Sequence, residues 1–201
     1  MRDQFNIIVA GVGGQGALLA ARILAMAAVK EGKRTITGEI HGLAQRGGAI
    51  APHVRIGEDV HGCIIPLCGA DVVLGMEFME SLRYVEFMSP ECTTVMSTSK
   101  MIPPIVWTVD IMEYPDEEEV IRRVASFTKH LYLVDSDDVA IRAGNALAAN
   151  SVMLGALAGS VELPFSRDSV LEAIKETVPE KALEANVKAF EMGAEEASKH
   201  G

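Results

Sequence analysis

The hydrophobic pattern opens with an unbroken apolar run, Asn6-Ile7-Ile8-Val9-Ala10, of the kind a strand shows when both its faces are covered. The run breaks at Gly11-Val12-Gly13-Gly14-Gln15-Gly16. From Gly14 to Lys30 the composition turns helical, and Glu31-Gly32-Lys33 closes it with a glycine stop. Arg34 to Thr37 reads as a short second strand. Gly38 to Gly48 has neither period and reads as a long loop, uncommon in a compact domain unless it serves a purpose. Ala49 to Ile56 returns as a strand, with Pro52 suggesting an edge or a bulge. Gly57-Glu58-Asp59 is a turn signal, so Val60 to Ile65 is expected to pair back on it.

Downstream, Ala70 to Gly75 reads as a buried strand, and Met76 to Met88 as an amphipathic helix with Phe78, Leu82 and Val85 inward. Thr93 to Met96 and Leu131 to Val134 are further strands. Asp116 to Thr128 places Asp116, Glu117, Glu118 and Glu119 in its first turn, which suits a helix N-terminus. Asp137 to Leu157 and Glu180 to Ser198 complete the helices. No internal repeat or low-complexity linker interrupts the chain. Strands alternating with helices predict an α/β fold. The expectation is a Rossmann-like, mostly parallel sheet flanked by helices, with an antiparallel hairpin around 49–65, in a single domain over 1–201.

Composition narrows the function classes. The 201 residues, 49% hydrophobic and 23% charged, suit one well-packed domain. A net charge of −10 argues against nucleic acid and against an anionic membrane surface as partners. The apolar stretch from Ala143 to Val161 is interrupted by Asn145, Asn150 and Ser151, and reads as a buried helix rather than a membrane span. Met1 to Phe5 runs straight into the first strand and leaves no room for a signal peptide, so a cytoplasmic protein is expected. Cys63, Cys68 and Cys92 are scattered, and an iron–sulfur cluster needs about four thiolates, so no metal or cluster is expected on this chain.

Two segments carry candidate chemistry. A glycine turn between a buried strand and a helix start aims backbone N–H groups at one spot, at the positive end of the helix dipole. Gly11, Gly13, Gly14, Gln15 and Gly16 therefore either cradle a phosphate-bearing cofactor or permit tight strand–helix packing. Glu39 lies about 20 residues beyond the turn, where a ribose-gripping carboxylate would sit in a dinucleotide site. The long loop following it does not suit that role. Glu39, His41, Gln45 and Arg46, bracketed by Gly42, Gly47 and Gly48, crowd hydrogen-bonding groups into one loop. His41 titrates near neutrality when unperturbed, and Arg46 suits a carboxylate or phosphate. This loop is expected to touch a substrate or dock a partner.

Other features read as structural. His53 and His61 fall on expected strands, and Asp135-Ser136-Asp137-Asp138 resembles a helix cap with Ser136 or Asp137 at the N-cap. Gly144, Ala148, Gly155 and Gly159 either let helices pack closely or form a subunit interface. No catalytic nucleophile is recognisable. From the residues alone the chain handles a nucleotide or cofactor, and a stand-alone nucleotide-binding dehydrogenase or a binding module stays open.

Read together, Ile8 to Gly16, Glu39 to Gly48 and Ala70 to Gly75 resemble the gamma-type subunit of 2-oxoacid:ferredoxin oxidoreductases. His41-Gly42-Leu43-Ala44-Gln45-Arg46-Gly47-Gly48 points to the indolepyruvate branch. The resemblance implies an accessory subunit of a heteromeric enzyme that decarboxylates a 2-oxoacid oxidatively to the acyl-CoA. It implies thiamine diphosphate and [4Fe–4S] clusters on a larger partner subunit, coenzyme A as co-substrate, ferredoxin as acceptor, and no cofactor bound by this chain alone. On that reading the glycine turn and the Glu39–Gly48 loop face the partner's active site or the phosphates of coenzyme A.

Overall fold

The computed structural model describes residues 4–41 (His41 by its backbone), 48–101 and 114–197. Six strands form one sheet: β1 (Gln4–Val12), β2 (Thr35–His41), β3 (Ala49–Gly57), β4 (Ala70–Gly75), β5 (Met88–Ser97) and β6 (His130–Val134), in the order β2-β3-β1-β4-β5-β6. β1, β4, β5 and β6 are parallel neighbours, and β3 runs antiparallel to both β1 and β2. The expected α/β architecture is present, with β3 the strand that departs from the parallel rule.

Strand alternation divides the core into two layers. Ile7 and Val9 of β1 join Val54, Leu74 and Val95 on one face, while Ile8, Ala10, Ala51, Val73 and Met96 join on the other. The first face is covered by α1 (Ala17–Lys30), α5 (Ala149–Ser160), α6 (Arg167–Thr177) and α7 (Glu180–Ala197). The second is covered by α2 (Glu80–Arg83), α3 (Glu117–Ala125) and the irregular segment 58–69. The remaining helix, α4 (Ser136–Ala143), follows β6 and packs against α7.

The Val60–Ile65 half of the expected hairpin does not form. The antiparallel pairing of 49–57 is there, but both edges of β3 are already taken, by β1 and by β2. Side chains supply what a strand ladder would have supplied to this segment. Arg55, nearly buried, donates through Nη1 to the carbonyls of Gly62 (2.8 Å) and Ile64 (3.1 Å), through Nε to Asn6 Oδ1 (3.0 Å), and through Nη2 to Gln4 Oε1 (3.0 Å). Asn6 in turn donates to the Gly69 carbonyl at 2.9 Å. The Ile65 N–H donates to Nδ1 of the fully buried His53 at 3.0 Å, and the His53 ring meets Phe87 edge-on. A charged donor bonded to backbone carbonyls is among the stronger hydrogen-bond types, so a few such contacts fix a segment that has no secondary structure.

Pro52 also departs from expectation, since β3 is interior. The alternation along β3 aims the Pro52 nitrogen at β1, and the paired register there passes from Ile8/His53 directly to Gly11/Ile50. The missing N–H thus falls where the ladder is already interrupted. Two helix expectations change as well. Met76–Met88 contributes only α2 and a following 3₁₀ turn, because both Met79 N–H (2.7 Å) and Glu80 N–H (3.1 Å) are held by Glu77 Oε2 and the helix starts late. The span 137–157 is two helices, parted at Gly144 with φ 103°, and the cap of α4 is Asp135, which accepts from Asp138 N–H at 3.0 Å. α6 was not among the expected helices, although Val170, Ala173 and Ile174 fall at helical spacing and Ser166 caps it through Ser169 N–H.

Of the small-residue stripe, Gly155 and Gly159 pack α5 against α7, whereas Gly144 ends α4 with open space around it. A Cβ on Gly155 would stand 1.9 Å from the Phe190 carbonyl oxygen, and one on Gly193 would stand 2.1 Å from that of Val152. These helices touch backbone to backbone, so no side chain can move aside.

Two measurements check this account. Gly155→Ala should destabilise the fold by about 2–4 kcal/mol in urea titration, since overpacking against a fixed backbone forces the helices apart. His53 carries a pKa lowered from the ordinary 6.5 to about 4, first by burial and then by the Arg55 guanidinium. Between those values the unfolded chain binds a proton that the folded chain refuses. The contribution of this group is complete above pH 6.5 and is lost as the pH falls toward 4. His53→Asn, which retains an acceptor for Ile65 N–H, should flatten the fall in urea midpoint across that window.

Candidate functional site

In an open α/β sheet, ligands bind beyond the carboxyl ends of the strands at the point where the chain reverses its direction of travel across the sheet. Here that point lies between β1 and β4: from β1 the chain goes to β2 and β3 on one side, and then to β4, β5 and β6 on the other. The glycine turn follows β1, and Met76 and Glu77 follow β4.

The turn is held from within. Gln15 Oε1 accepts the Val12 N–H at 3.0 Å, Gln15 N–H donates to the Val12 carbonyl at 3.1 Å, and Gly13 N–H donates to the Gly48 carbonyl at 2.9 Å. Gly14 and Gly16 adopt φ of 110° and 83°, values that an L side chain rarely tolerates. No side chain caps the N-terminus of α1, where Gly16 is the N-cap. The loop therefore spends the Val12, Gly13 and Gln15 donors on its own shape. Among the described residues, no acceptor is bonded to the N–H of Gly14 or Gly16. The cradle is narrower than the sequence pattern implied, but its shape is preset.

The second sequence-predicted segment arrives beside it. Ala49 pairs with Val12, and the Gly48 carbonyl takes the Gly13 N–H, so this end of the Gly38–Gly48 stretch is fastened to the glycine turn. The stretch begins as strand rather than loop: Glu39 and His41 lie on β2, opposite Pro52 and Ile50. Gln45, Arg46 and Gly47 lie outside the described residues. Glu39 is not brought to the turn. Its side chain is exposed on the edge strand, and β3 stands between β2 and β1, so the ribose-gripping position of a dinucleotide site is absent from this topology.

Sequence reasoning missed the rest of the rim. A cavity of about 190 Å³ opens beside the turn, lined by Gly14, Gln15, Met76, Ser99, Lys100 and Ser136, among others. Three hydroxyls form a chain into it. Ser99 N–H donates to Ser97 Oγ (3.0 Å), Ser97 Oγ lies 2.7 Å from Ser136 Oγ, and Ser136 Oγ lies 3.2 Å from Ser99 Oγ. With Ser97 accepting the backbone proton, the hydroxyl protons can run from Ser97 to Ser136 to Ser99, leaving the Ser99 proton for the cavity. Lys100 Nζ, 2.7 Å from Glu117 Oε2, lies over the Phe78 ring. Ser-Thr-Ser-Lys after a buried strand was the available signal. Leu147, 88% exposed, projects at the same rim.

Behind the rim, one buried carboxylate fastens several segments. Besides its bonds to the start of α2, Glu77 accepts through Oε1 from Met101 N–H (3.0 Å) and from the Tyr114 hydroxyl (2.8 Å). Burial and the neighbouring Glu77 raise the Tyr114 pKa, which keeps its phenol a donor. Burial pushes Cys92 up to about 12, making it a core thiol rather than a nucleophile. His53 lies off the rim, buried in a structural role, whereas His61 is exposed in segment 58–69 rather than on the expected strand.

A preset glycine turn at the switch point of an α/β sheet, beside a cavity lined by Ser99, Lys100 and Ser136, defines a Rossmann-like domain without an evident nucleophile among the described residues. The chain belongs to the pyruvate ferredoxin/flavodoxin oxidoreductase family, which it matches over residues 6–196. It is similar to the indolepyruvate oxidoreductase subunit IorB of Archaeoglobus fulgidus, with 42% identity over 96% of both chains. Among solved structures it resembles the gamma subunit of a keto/oxoacid ferredoxin oxidoreductase from Geobacter sulfurreducens, with a TM-score of 0.70, 24% identity, and coverage of 97% of this chain and 99% of that one. It also superimposes on 2-oxoglutarate:ferredoxin oxidoreductase from Magnetococcus marinus, with a TM-score of 0.74 and 20% identity. That match covers 99% of this chain but 32% of the longer one.

Glu77→Ala would strip four donors of their acceptor, one of these bonds buried and three partly buried. Each unpaired group costs on the order of 1–3 kcal/mol, so the variant should lose several kcal/mol of stability in urea titration. Hydrogen exchange at Met79, Glu80 and Met101 should quicken together.

Proposed function

We propose that this chain is the small subunit of a heteromeric 2-oxoacid:ferredoxin oxidoreductase of the indolepyruvate type, inactive alone. The observation that carries the reading is its full-length similarity to an indolepyruvate oxidoreductase subunit. In the complex, thiamine diphosphate and [4Fe–4S] clusters on the larger subunit supply decarboxylation and electron transfer. An aryl 2-oxoacid is consumed, coenzyme A accepts the acyl group, and ferredoxin receives the electrons, in the cytoplasm and without nucleic acid or membrane. No helix among the described residues is long and apolar enough to cross a membrane.

This chain's part is to receive anionic phosphate at the rim. The donors that line it are the Gly14 N–H in the turn before α1, the Ser99 hydroxyl and the Lys100 ammonium, with Asp137 the one carboxylate among the lining residues. A cavity of about 190 Å³ is smaller than the roughly 300–1,000 Å³ of a whole-ligand pocket, so it suits the phosphate end of coenzyme A. Arg46 and His41 then serve that ligand or the partner's active site from the adjacent segment. A stand-alone dehydrogenase is disfavoured, because β3 displaces the acidic strand end that a dinucleotide requires.

Arg46→Ala in the assembled complex should raise KM for coenzyme A severalfold, or weaken assembly, both measurable on the co-expressed pair. An unchanged KM with unchanged assembly rejects the role given to this segment.

A further inference from the structure

A groove of about 750 Å³ lies away from the rim cavity, between α1 and the edge strand β2. Its helix wall carries Leu18, Arg22, Ala25 and Val29, spaced as one stripe of a helix, with Leu18 and Val29 exposed at 42% and 59%. Its other wall carries Thr35, Thr37 and Glu39.

The backbone of that strand wall is unused. Gly57 N–H donates to the Arg34 carbonyl at 3.0 Å, which makes Arg34/Gly57 a hydrogen-bonded pair of the antiparallel ladder. Alternation then turns Ile36, Gly38 and Ile40 toward β3, and turns the N–H and C=O groups of Thr35, Thr37 and Glu39 outward. Among the described residues β2 ends the sheet, and none of them pairs a further strand with these groups. An exposed edge beside an apolar helix is the arrangement by which domains accept an added strand.

The charges distinguish what would fit. Lys30 is already engaged by Glu176 at 2.6 Å, whereas Arg22 has no hydrogen-bond or salt-bridge partner among the described residues. The incoming segment should therefore place apolar side chains against the helix stripe and a carboxylate beside Arg22. In the Magnetococcus marinus neighbour this fold is about a third of a longer chain, which favours a larger protein over a second copy as the occupant. We propose that an extended, carboxylate-bearing segment of the larger subunit adds to β2 as an edge strand, in the groove against α1. This rests on the subunit reading above.

Two variants test it on the co-expressed complex. Thr37→Pro removes an outward N–H that the β2–β3 ladder does not use, so the subunit should keep its thermal midpoint yet bind the larger subunit at least tenfold more weakly. Arg22→Glu leaves the backbone alone and should weaken binding severalfold. In the wild-type complex, amide exchange at Thr35, Thr37 and Glu39 should slow relative to the free subunit. Full affinity in Arg22→Glu together with unprotected β2 amides overturns the groove assignment, even if Thr37→Pro fails to fold. If instead the isolated chain is a dimer that Thr37→Pro dissolves, the occupant is a second copy and the proposal fails. If the wild-type subunit does not bind the larger chain at all, the subunit reading falls first and this inference with it.

Discussion

The placement of β3 governs the rest of the structure. By lying antiparallel between β1 and β2, it uses both of its own edges, excludes segment 58–69 from the sheet, pushes β2 to the margin, and delivers Gly48 to the glycine turn. None of these effects could be relaxed alone. Withdrawing β3 would expose Val54 and Ile56, both buried, and would strip Arg55 and His53 of the carbonyl and amide that they hold. The loss of even one such buried side chain from its contacts is on the order of 1.5–3 kcal/mol, which is large beside the usual margin of stability.

The Arg55 cluster shows how irregular chain can be kept in place over a sheet. A guanidinium presents its donors in a rigid fork, and here that fork reaches Gln4, Asn6, Gly62 and Ile64 at once. A lysine in this position could not address so many acceptors in one plane. The same economy recurs at Glu77, whose two oxygens join the start of α2 to Met101 and Tyr114. Both groups are polar, and both act as cross-links between segments distant in sequence.

That is why some of the fold was legible in the sequence and some was not. Ile7 to Ala10 and Ala70 to Gly75 are buried on both faces, so their composition alone identifies them as central strands. Asp116 and the acidic turn after it marked α3 correctly, because capping is a local interaction. The expected helix at Met76 starts late because Glu77 holds the Met79 and Glu80 N–H groups locally, and the expected strand at Val60 failed because its edge had been taken by β2. At the site, the glycines declared themselves through backbone conformation. Ser97 and Ser99 carry only the Ser-Thr-Ser-Lys run after a buried strand, and Ser136 joins them only once β5 and β6 are aligned, which no spacing between residues so far apart could announce.

Gln15 has a consequence for how the turn would work. Its amide oxygen closes a ring with the Val12 N–H, so the loop is stiffened before anything reaches it. The entropy of ordering that backbone is lost once, when the chain folds, rather than at each encounter with a ligand. An anion arriving there has only its own water to shed. For the phosphate-bearing ligand proposed above, loop closure would then add no barrier of its own to entry or release.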